Sequence, residues 1–486
     1  MARLSTVWTR LAQALALAIF ALSAYRAATC SITIDEAFTY NRFVGVPYTQ
    51  TLTDFDANHH VLYALLARFS VGAFGVSEFT LRLPSVMGGA LYLWVALALS
   101  RMIFGPQPMM VAALGLLALN PLVLDQMSMA RGYGAGLACW LLALYVVAGW
   151  PPSPRPGQLR AAALALIASV GFNLIFIVPG LALAVWCAIE TAREEGAWSN
   201  LLNHMILPGI VGTFLILALP LAHAEAQHFY LGEKTLRGSV LTVSQASLLQ
   251  GMHWFPGRIK IWNTWVWILA DKLPWAAAAL LLLGIPAGIH TLLRARTTEN
   301  GRLGTSLIAT AWIALLMLVI GNKAAHVLYP FARTGIYWIP LLTLLALWLW
   351  KRYVTHAAAR AAVSVAAWAW LALYLLQIHP SYYPPFHGDA GTKYLVEVLH
   401  RMENGSRKIR LGVNWQLVEG FRFYRHRYGL NWIEPVERDS LEQPADYYAL
   451  LPQDLPLIEK LRLQVLVRHP DSEAVLARPT AVQSSP

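Results

Sequence analysis

The chain has 486 residues, of which 57% are hydrophobic and 13% charged, where a soluble domain carries about 25% charged residues. That excludes a disordered protein and an ordinary cytosolic enzyme. Three cysteines, Cys30, Cys139 and Cys187, exclude a disulfide scaffold and show no metal-ligand spacing. The net charge of +11 comes from basic residues in short loops between apolar runs, not from a patch on a soluble domain, so no nucleic-acid partner is expected.

What remains is a polytopic membrane protein, in which a span needs about 20 apolar residues to cross roughly 30 Å of hydrocarbon. The first span is Trp8–Ala28. Arg3 and Arg10 precede it and keep the N-terminus inside, and Ala27-Ala28-Thr29 is a weak cleavage site, which favours an uncleaved helix over a signal peptide. Residues 29–80 form a mixed outer loop. Within it Asn58–Phe74 is apolar on one face and carries His59, His60 and Arg68, as expected of a helix lying in the interface.

Further spans are Leu83–Phe104, Met109–Met129 and Gly134–Trp150. Ala161–Ile189 reads as two short helices, broken near Asn173 and Pro179-Gly180. Met205–Ala222, Trp275–Leu293, Thr305–Gly321, Ile336–Trp350 and Ala361–Ile378 complete a set of about eleven spans. Inner loops hold Arg101, Arg155, Arg160, Arg193, Arg294, Arg296, Arg302, Lys351, Arg352 and Arg360, consistent with the positive-inside rule. The outer loop 225–274 carries Lys234, Arg237, Arg258, Lys260 and Lys272, but long loops cross regardless of charge. Its Trp254–Trp267 stretch reads as structure at headgroup level.

Residues 1–378 are therefore a transmembrane domain. Residues 379–387 are a Pro- and Tyr-rich linker, and 388–480 read as a soluble extracytoplasmic α/β domain. Its expected helices are Lys393–Met402 and Trp415–Tyr428, and its expected strands are Lys408–Val413, Asp446–Leu451 and Leu463–Val467. An odd span count puts this domain outside.

Five outer features carry residues able to do chemistry. Asp35-Glu36 follows the first span; taken alone, such a pair is also how any helix leaves a membrane. Asn58-His59-His60-Val61-Leu62-Tyr63 opens the interfacial helix. Arg82-Leu83-Pro84-Ser85 precedes the second span, where Pro84 suits a first helical turn. Ala130-Arg131-Gly132-Tyr133 and Tyr329-Pro330-Phe331-Ala332-Arg333-Thr334 lie at outer turns. Each arginine alone is more often a headgroup anchor than a ligand.

In order and spacing these features resemble the GT-C superfamily of membrane glycosyltransferases, in its protein O-mannosyltransferase and lipid A aminoarabinose transferase branch (bacterial, glycosyltransferase family 39-like). The resemblance is good over Thr29–Tyr133, fair around Arg333 and architectural elsewhere. The chain departs from the pattern at His60, where many members have Pro, and at Gly132-Tyr133, where the aminoarabinose branch has Asp after Ala-Arg. The resemblance implies an all-α polytopic GT-C fold with the small C-terminal α/β domain, in a bacterial inner membrane. It implies a polyprenyl-phosphate sugar as donor. The acceptor is a hydroxyl of a protein, lipid or polysaccharide, and membrane lipids surround the site. Asp35 would take the acceptor proton, with Glu36 orienting it or sharing a divalent cation, Mg or Mn, whose requirement stays open. Two adjacent carboxylates would raise one pKa and favour Asp35 as base near neutral pH. His59, His60, Arg131 and Arg333 would meet the leaving phosphate, which Arg binds bidentately. A transporter or flippase of a lipid-linked or polyanionic substrate is the alternative. It would place its ionisable residues nearer the midplane, often with inverted repeats.

Overall fold

The computed structural model describes residues 2–151, 153–192, 197–225, 231–248, 260–294, 298–403 and 405–480. The apolar runs expected to span are helical for most of their length, with breaks at Asn120 and Asn173. Helix α1 (Ala2–Thr29) is followed by the short α2 (Ile34–Thr39) and α3 (Tyr48–Thr53), then by α4 (Val61–Phe74) and α5 (Glu78–Phe104). Next come α6 (Pro108–Ala118), α7 (Pro121–Gln126), α8 (Gly132–Ala148), α9 (Pro156–Phe172) and α10 (Ile177–Thr191). Helix α11 (Ala197–Leu201) runs through one π-helical turn into α12 (Leu207–Ala222). The series continues with α13 (Leu236–Leu248), α14 (Lys260–Arg294), α15 (Glu299–Ala325), α16 (Trp338–Tyr353) and α17 (Ala357–Leu375). Among the described residues seven helices are long and apolar enough to cross a membrane, with four shorter apolar helices beside them. Phe214 and Leu215 of α12, and Trp275, Leu282 and Leu293 of α14, are exposed. Such surfaces suit lipid rather than water. The chain is a multi-pass membrane protein.

Three local differences from the sequence reading have physical causes. Helix α5 begins at Glu78, five residues before the expected span, because Ser77 and Thr80 cap each other. The Thr80 N–H donates to Ser77 Oγ at 3.1 Å and the Ser77 N–H to Thr80 Oγ1 at 3.0 Å. Pro84 therefore lies inside the helix and not in its first turn. Its missing N–H frees the Thr80 carbonyl, which instead accepts from the Ser70 hydroxyl. The run Met109–Met129 is not one span: Asn120 and Pro121 divide it into α6 and α7. Asn120 Oδ1 accepts from the Val123 N–H at 3.3 Å, with Pro121 in the first helical position. Asn58, His59 and His60 precede α4 and do not open it. At Asn173 the expected break is present, and Asn173 Oδ1 accepts from the Ile175 N–H at 3.1 Å. Of the Trp254–Trp267 stretch, residues 254–259 lie outside the described residues and the rest enters α14.

Beyond the bundle come α18 (Thr392–Met402), α19 (Val418–Arg427), α20 (Pro456–Lys460) and a four-stranded sheet. Its strands are β1 (Leu411–Val413), β2 (Tyr447–Leu450), β3 (Leu463–Arg468) and β4 (Val475–Pro479), in the order β1-β2-β4-β3. β1 and β2 are parallel, with Leu411 opposite Tyr447, and β4 is antiparallel to both its neighbours. β4 was not expected from the sequence, yet it is central. Its Val475, Leu476 and Ala477 are fully buried, and Val475 and Ala477 join a core with Leu450, Tyr448 and Leu463.

The chain divides into two compact units. One comprises Met1–Ala24, Phe55–Tyr63 and Pro84–Ile378 and holds most of the helices. The other comprises Tyr25–Asp54, Ala64–Leu83 and His379–Pro486, so the loop after the first helix belongs with the C-terminal sheet.

Candidate active site

Asp35 and Glu36 lie in the sheet-containing unit, on the first turn of α2. Thr33 caps that helix: its Oγ1 accepts from the Glu36 N–H at 3.4 Å, and Glu36 Oε2 accepts from the Thr33 N–H at 3.0 Å. This capping box fixes which way each carboxylate faces. Glu36 is fully buried and Asp35 half-buried. Burying a carboxylate without a counter-charge is costly, and the counter-charge here is Arg82. Its Nε donates to Glu36 Oε1 at 2.8 Å and its Nη2 to Oε2 at 2.7 Å, a fork with both side chains wholly buried. The same guanidinium donates to the carbonyls of Ala27 (3.2 Å), Cys30 (2.7 Å) and Ser31 (2.8 Å). It thereby satisfies carbonyls left over at the end of α1. Glu36 is thus bound up in holding the loop to the helix end. With both oxygens engaged by Arg82, it does not fit the metal-ligand role considered for it. Among the described residues no group of three or more His, Cys, Asp or Glu is arranged to hold a metal ion.

A third carboxyl, Asp389, joins this pair, and no motif in the sequence marks it. Its Oδ2 accepts from the Ile34 N–H at 2.7 Å. Burial, with the nearby charges of Asp35 and Glu36 adding to it, pushes the Asp389 carboxyl well above the usual range, and the Ile34 hydrogen bond offsets only part of this. Asp389 therefore keeps its proton where an ordinary carboxyl has lost it. The unit also buries Glu78, whose carboxylate meets the Tyr424 hydroxyl at 3.0 Å, Lys393 Nζ at 3.1 Å and the Arg427 guanidinium.

His59, His60, Arg131 and Arg333 lie in the other unit, on three segments far apart in sequence. The turn Asp56–Asn58, closed by Asp56 Oδ1 accepting from the Asn58 N–H at 2.8 Å, presents His59 and His60, both buried. Arg131 immediately precedes α8 and is buried; its Nη2 donates to Asn58 Oδ1 at 2.8 Å. Gly132 is required here: a Cβ would lie 1.8 Å from the Phe172 carbonyl oxygen and 3.1 Å from His60 Cβ. Arg333 sits on the 3-10 turn Ala332–Gly335. That turn is tied to α13 through the Ala332 N–H, which donates to Thr242 Oγ1 at 3.2 Å. Ala332 adopts φ +44° to make the turn.

Burial first, then the charges of Arg131, His59 and Arg333, hold the His60 imidazole well below its usual pKa, so it is neutral at neutral pH. Its ring packs edge-on to Tyr133 at 5.2 Å, and its Nε2 is buried without a hydrogen-bond partner among the described residues. The buried neutral imidazole thus lies within the electrostatic reach of two arginines from separate segments. Sequence reasoning named these four residues but gave no charge state for His60.

No protein-family model matches the chain, and no curated protein matches it significantly. Among solved structures, the chain is similar to ArnT from Cupriavidus metallidurans bound to undecaprenyl phosphate, at 16% identity and a TM-score of 0.46, with 99% of each chain covered. The apo state of that protein gives 15% identity and a TM-score of 0.45. Arabinosyltransferase EmbB from Mycobacterium smegmatis gives 15% identity and a TM-score of 0.30, over 79% of this chain and 42% of that one. At these scores the likeness carries no argument about function, which rests on the residues of this chain.

Proposed function

We propose that the chain is an integral-membrane glycosyltransferase that moves a sugar from a polyprenyl-phosphate donor to an acceptor hydroxyl at the outer face of a bacterial inner membrane. The observation that supports this reading is that Arg131 and Arg333, on separate segments of a membrane protein, both act electrostatically on the buried His60 imidazole, and that Arg131 is hydrogen-bonded to Asn58 beside it. A leaving phosphate needs cations already in place where its charge develops. The motif order around Asp35, His59, Arg82 and Arg131, which resembles GT-C enzymes, supports it independently.

The reaction follows from those roles. Asp35 takes the proton of the acceptor hydroxyl as its oxygen attacks the anomeric carbon. The bond from that carbon to the phosphate oxygen breaks, and the lipid phosphate departs with the electron pair. Arg131 and Arg333 stabilise the departing oxygens, and the neutral imidazole of His60 is a hydrogen-bonding partner for them. Glu36, neutralised by Arg82, shapes the loop and takes no proton.

The deciding experiment supplies radiolabelled polyprenyl-phosphate sugars one at a time to the purified protein and measures release of lipid phosphate. Movement of the donor between liposome leaflets without such release would instead establish a flippase. Arg131→Ala and Arg333→Ala should each weaken donor binding by about 2–5 kcal/mol, the cost of removing one partner of a buried charged hydrogen bond. Lys at either position should restore only part of this, because a point charge lacks the planar fork. Unchanged donor binding in both alanine variants would make the arginines headgroup anchors. Orientation is checked separately. Alkaline phosphatase fused after Thr480 should be active and a cytoplasmic reporter at the same place silent, and the reverse would remove an outer active site.

A further inference from the structure

Three successive backbone N–H groups ahead of Asp35 each donate to a side-chain oxygen. Ile32 donates to the Tyr424 hydroxyl at 2.9 Å, Thr33 to Glu36 Oε2 at 3.0 Å, and Ile34 to Asp389 Oδ2 at 2.7 Å. The Ser31 carbonyl accepts from Arg82 at 2.8 Å, and Ser31 Oγ accepts from the Lys393 N–H at 3.3 Å. Buried backbone groups must find partners, and here two of the three N–H acceptors come from the C-terminal domain, more than 350 residues away. The Tyr424 hydroxyl, having accepted from Ile32, donates to Glu78, which Lys393 and Arg427 hold in turn.

We propose that Asp389 and Tyr424 are positioning residues: the C-terminal domain fixes the backbone of Ser31–Glu36 and so aims the Asp35 carboxylate at the acceptor hydroxyl. The proposal rests on the glycosyltransferase reading for the chemistry, but not for the geometry. Three carboxyls meet at this loop, and their environments divide the work. Glu36 is paired with Arg82, and Asp389, buried with its carboxyl pushed well above the usual range by desolvation, accepts the Ile34 N–H. Asp35 is half-buried on the same turn of α2.

The test compares Asp389→Ala, Asp389→Asn and Tyr424→Phe in the full chain. It measures kcat, donor KM and amide hydrogen exchange over residues 31–37. Asp389→Ala leaves the Ile34 N–H without its acceptor and should lower kcat by about 10²-fold, the scale of a small misplacement of a reacting group. Donor KM should stay unchanged, and the Ile34 amide should exchange faster. Tyr424→Phe should do the same at Ile32. Asp389→Asn keeps an accepting oxygen in a neutral side chain and should restore both rate and protection. Wild-type kcat and protection in Asp389→Ala would overturn the proposal. So would an Asp389→Asn variant as slow as the alanine, since that would require an ionisable proton rather than a hydrogen-bond acceptor. Should the alanine variant fail to fold, Tyr424→Phe and Asp389→Asn decide by the same criteria. If the wild type turns over no polyprenyl-phosphate sugar, the functional reading fails, and the exchange measurement alone still decides whether these residues hold the loop.

Discussion

Asp35→Asn should abolish sugar transfer while the protein still inserts and still binds the lipid donor. The amide keeps the shape of the carboxylate and its place on α2, but it cannot accept the acceptor's proton. Removing a general base typically costs about 10²–10⁴-fold in rate. The structure sharpens this expectation, because Glu36 is engaged by Arg82, and Asp389 is buried and accepts from the Ile34 N–H, so neither neighbour is placed to substitute. The measurement is turnover of the purified variant in detergent, with donor binding measured on the same sample. Turnover near wild type would reduce Asp35 to a polar exit from the first helix.

Arg82→Ala should be among the most destabilising single changes in the chain. It leaves Glu36 buried with no counter-charge, and breaking one side of such a pair costs about 3–5 kcal/mol. It also removes the donors to the carbonyls of Ala27, Cys30 and Ser31. The thermal midpoint in detergent should fall sharply, with less monodisperse protein recovered. Glu36→Gln should destabilise in the same direction. It should lose activity in proportion to folded protein, whereas a catalytic carboxylate would lose activity with the fold intact. Arg82→Met combined with Glu36→Leu should recover part of the midpoint, because replacing both partners of a buried pair by apolar groups removes the desolvation cost along with the attraction. An unchanged midpoint in Arg82→Ala would remove this account of Glu36.

The membrane helices are legible in the sequence because apolar length alone specifies them, and the break at Asn173 is legible because a polar residue interrupts a run too long for one helix. The break at Asn120 was written just as plainly, as an N-cap followed by Pro121, but a run apolar on both sides hid it. The loop chemistry is only half legible. Adjacent carboxylates are visible, but the partner that removes one of them from play lies 46 residues away. Arg82 could have been suspected as a charge placed inside the helical run that begins at Glu78. Asp389 has no such signal, since its role depends on a contact between segments more than 350 residues apart. The missed strand β4 is short and ends in Arg478-Pro479; burial between two neighbours, not its own composition, makes it a strand.

The position of β4 also sets an order of assembly. Chains emerge from the ribosome N-terminal end first, and domains generally fold as units. β1 and β2 are neighbours that need no β4 to pair, but β3 has no place in the sheet until β4 arrives to lie between β2 and β3. The loop that carries Asp35 shares its compact unit with this sheet, so a segment made early waits for nearly the last strand to be translated. A nonsense or frameshift mutation near Glu473 would then not trim an edge. It would leave a β1–β2 pair and a lone β3, both with exposed strand edges open to proteolysis.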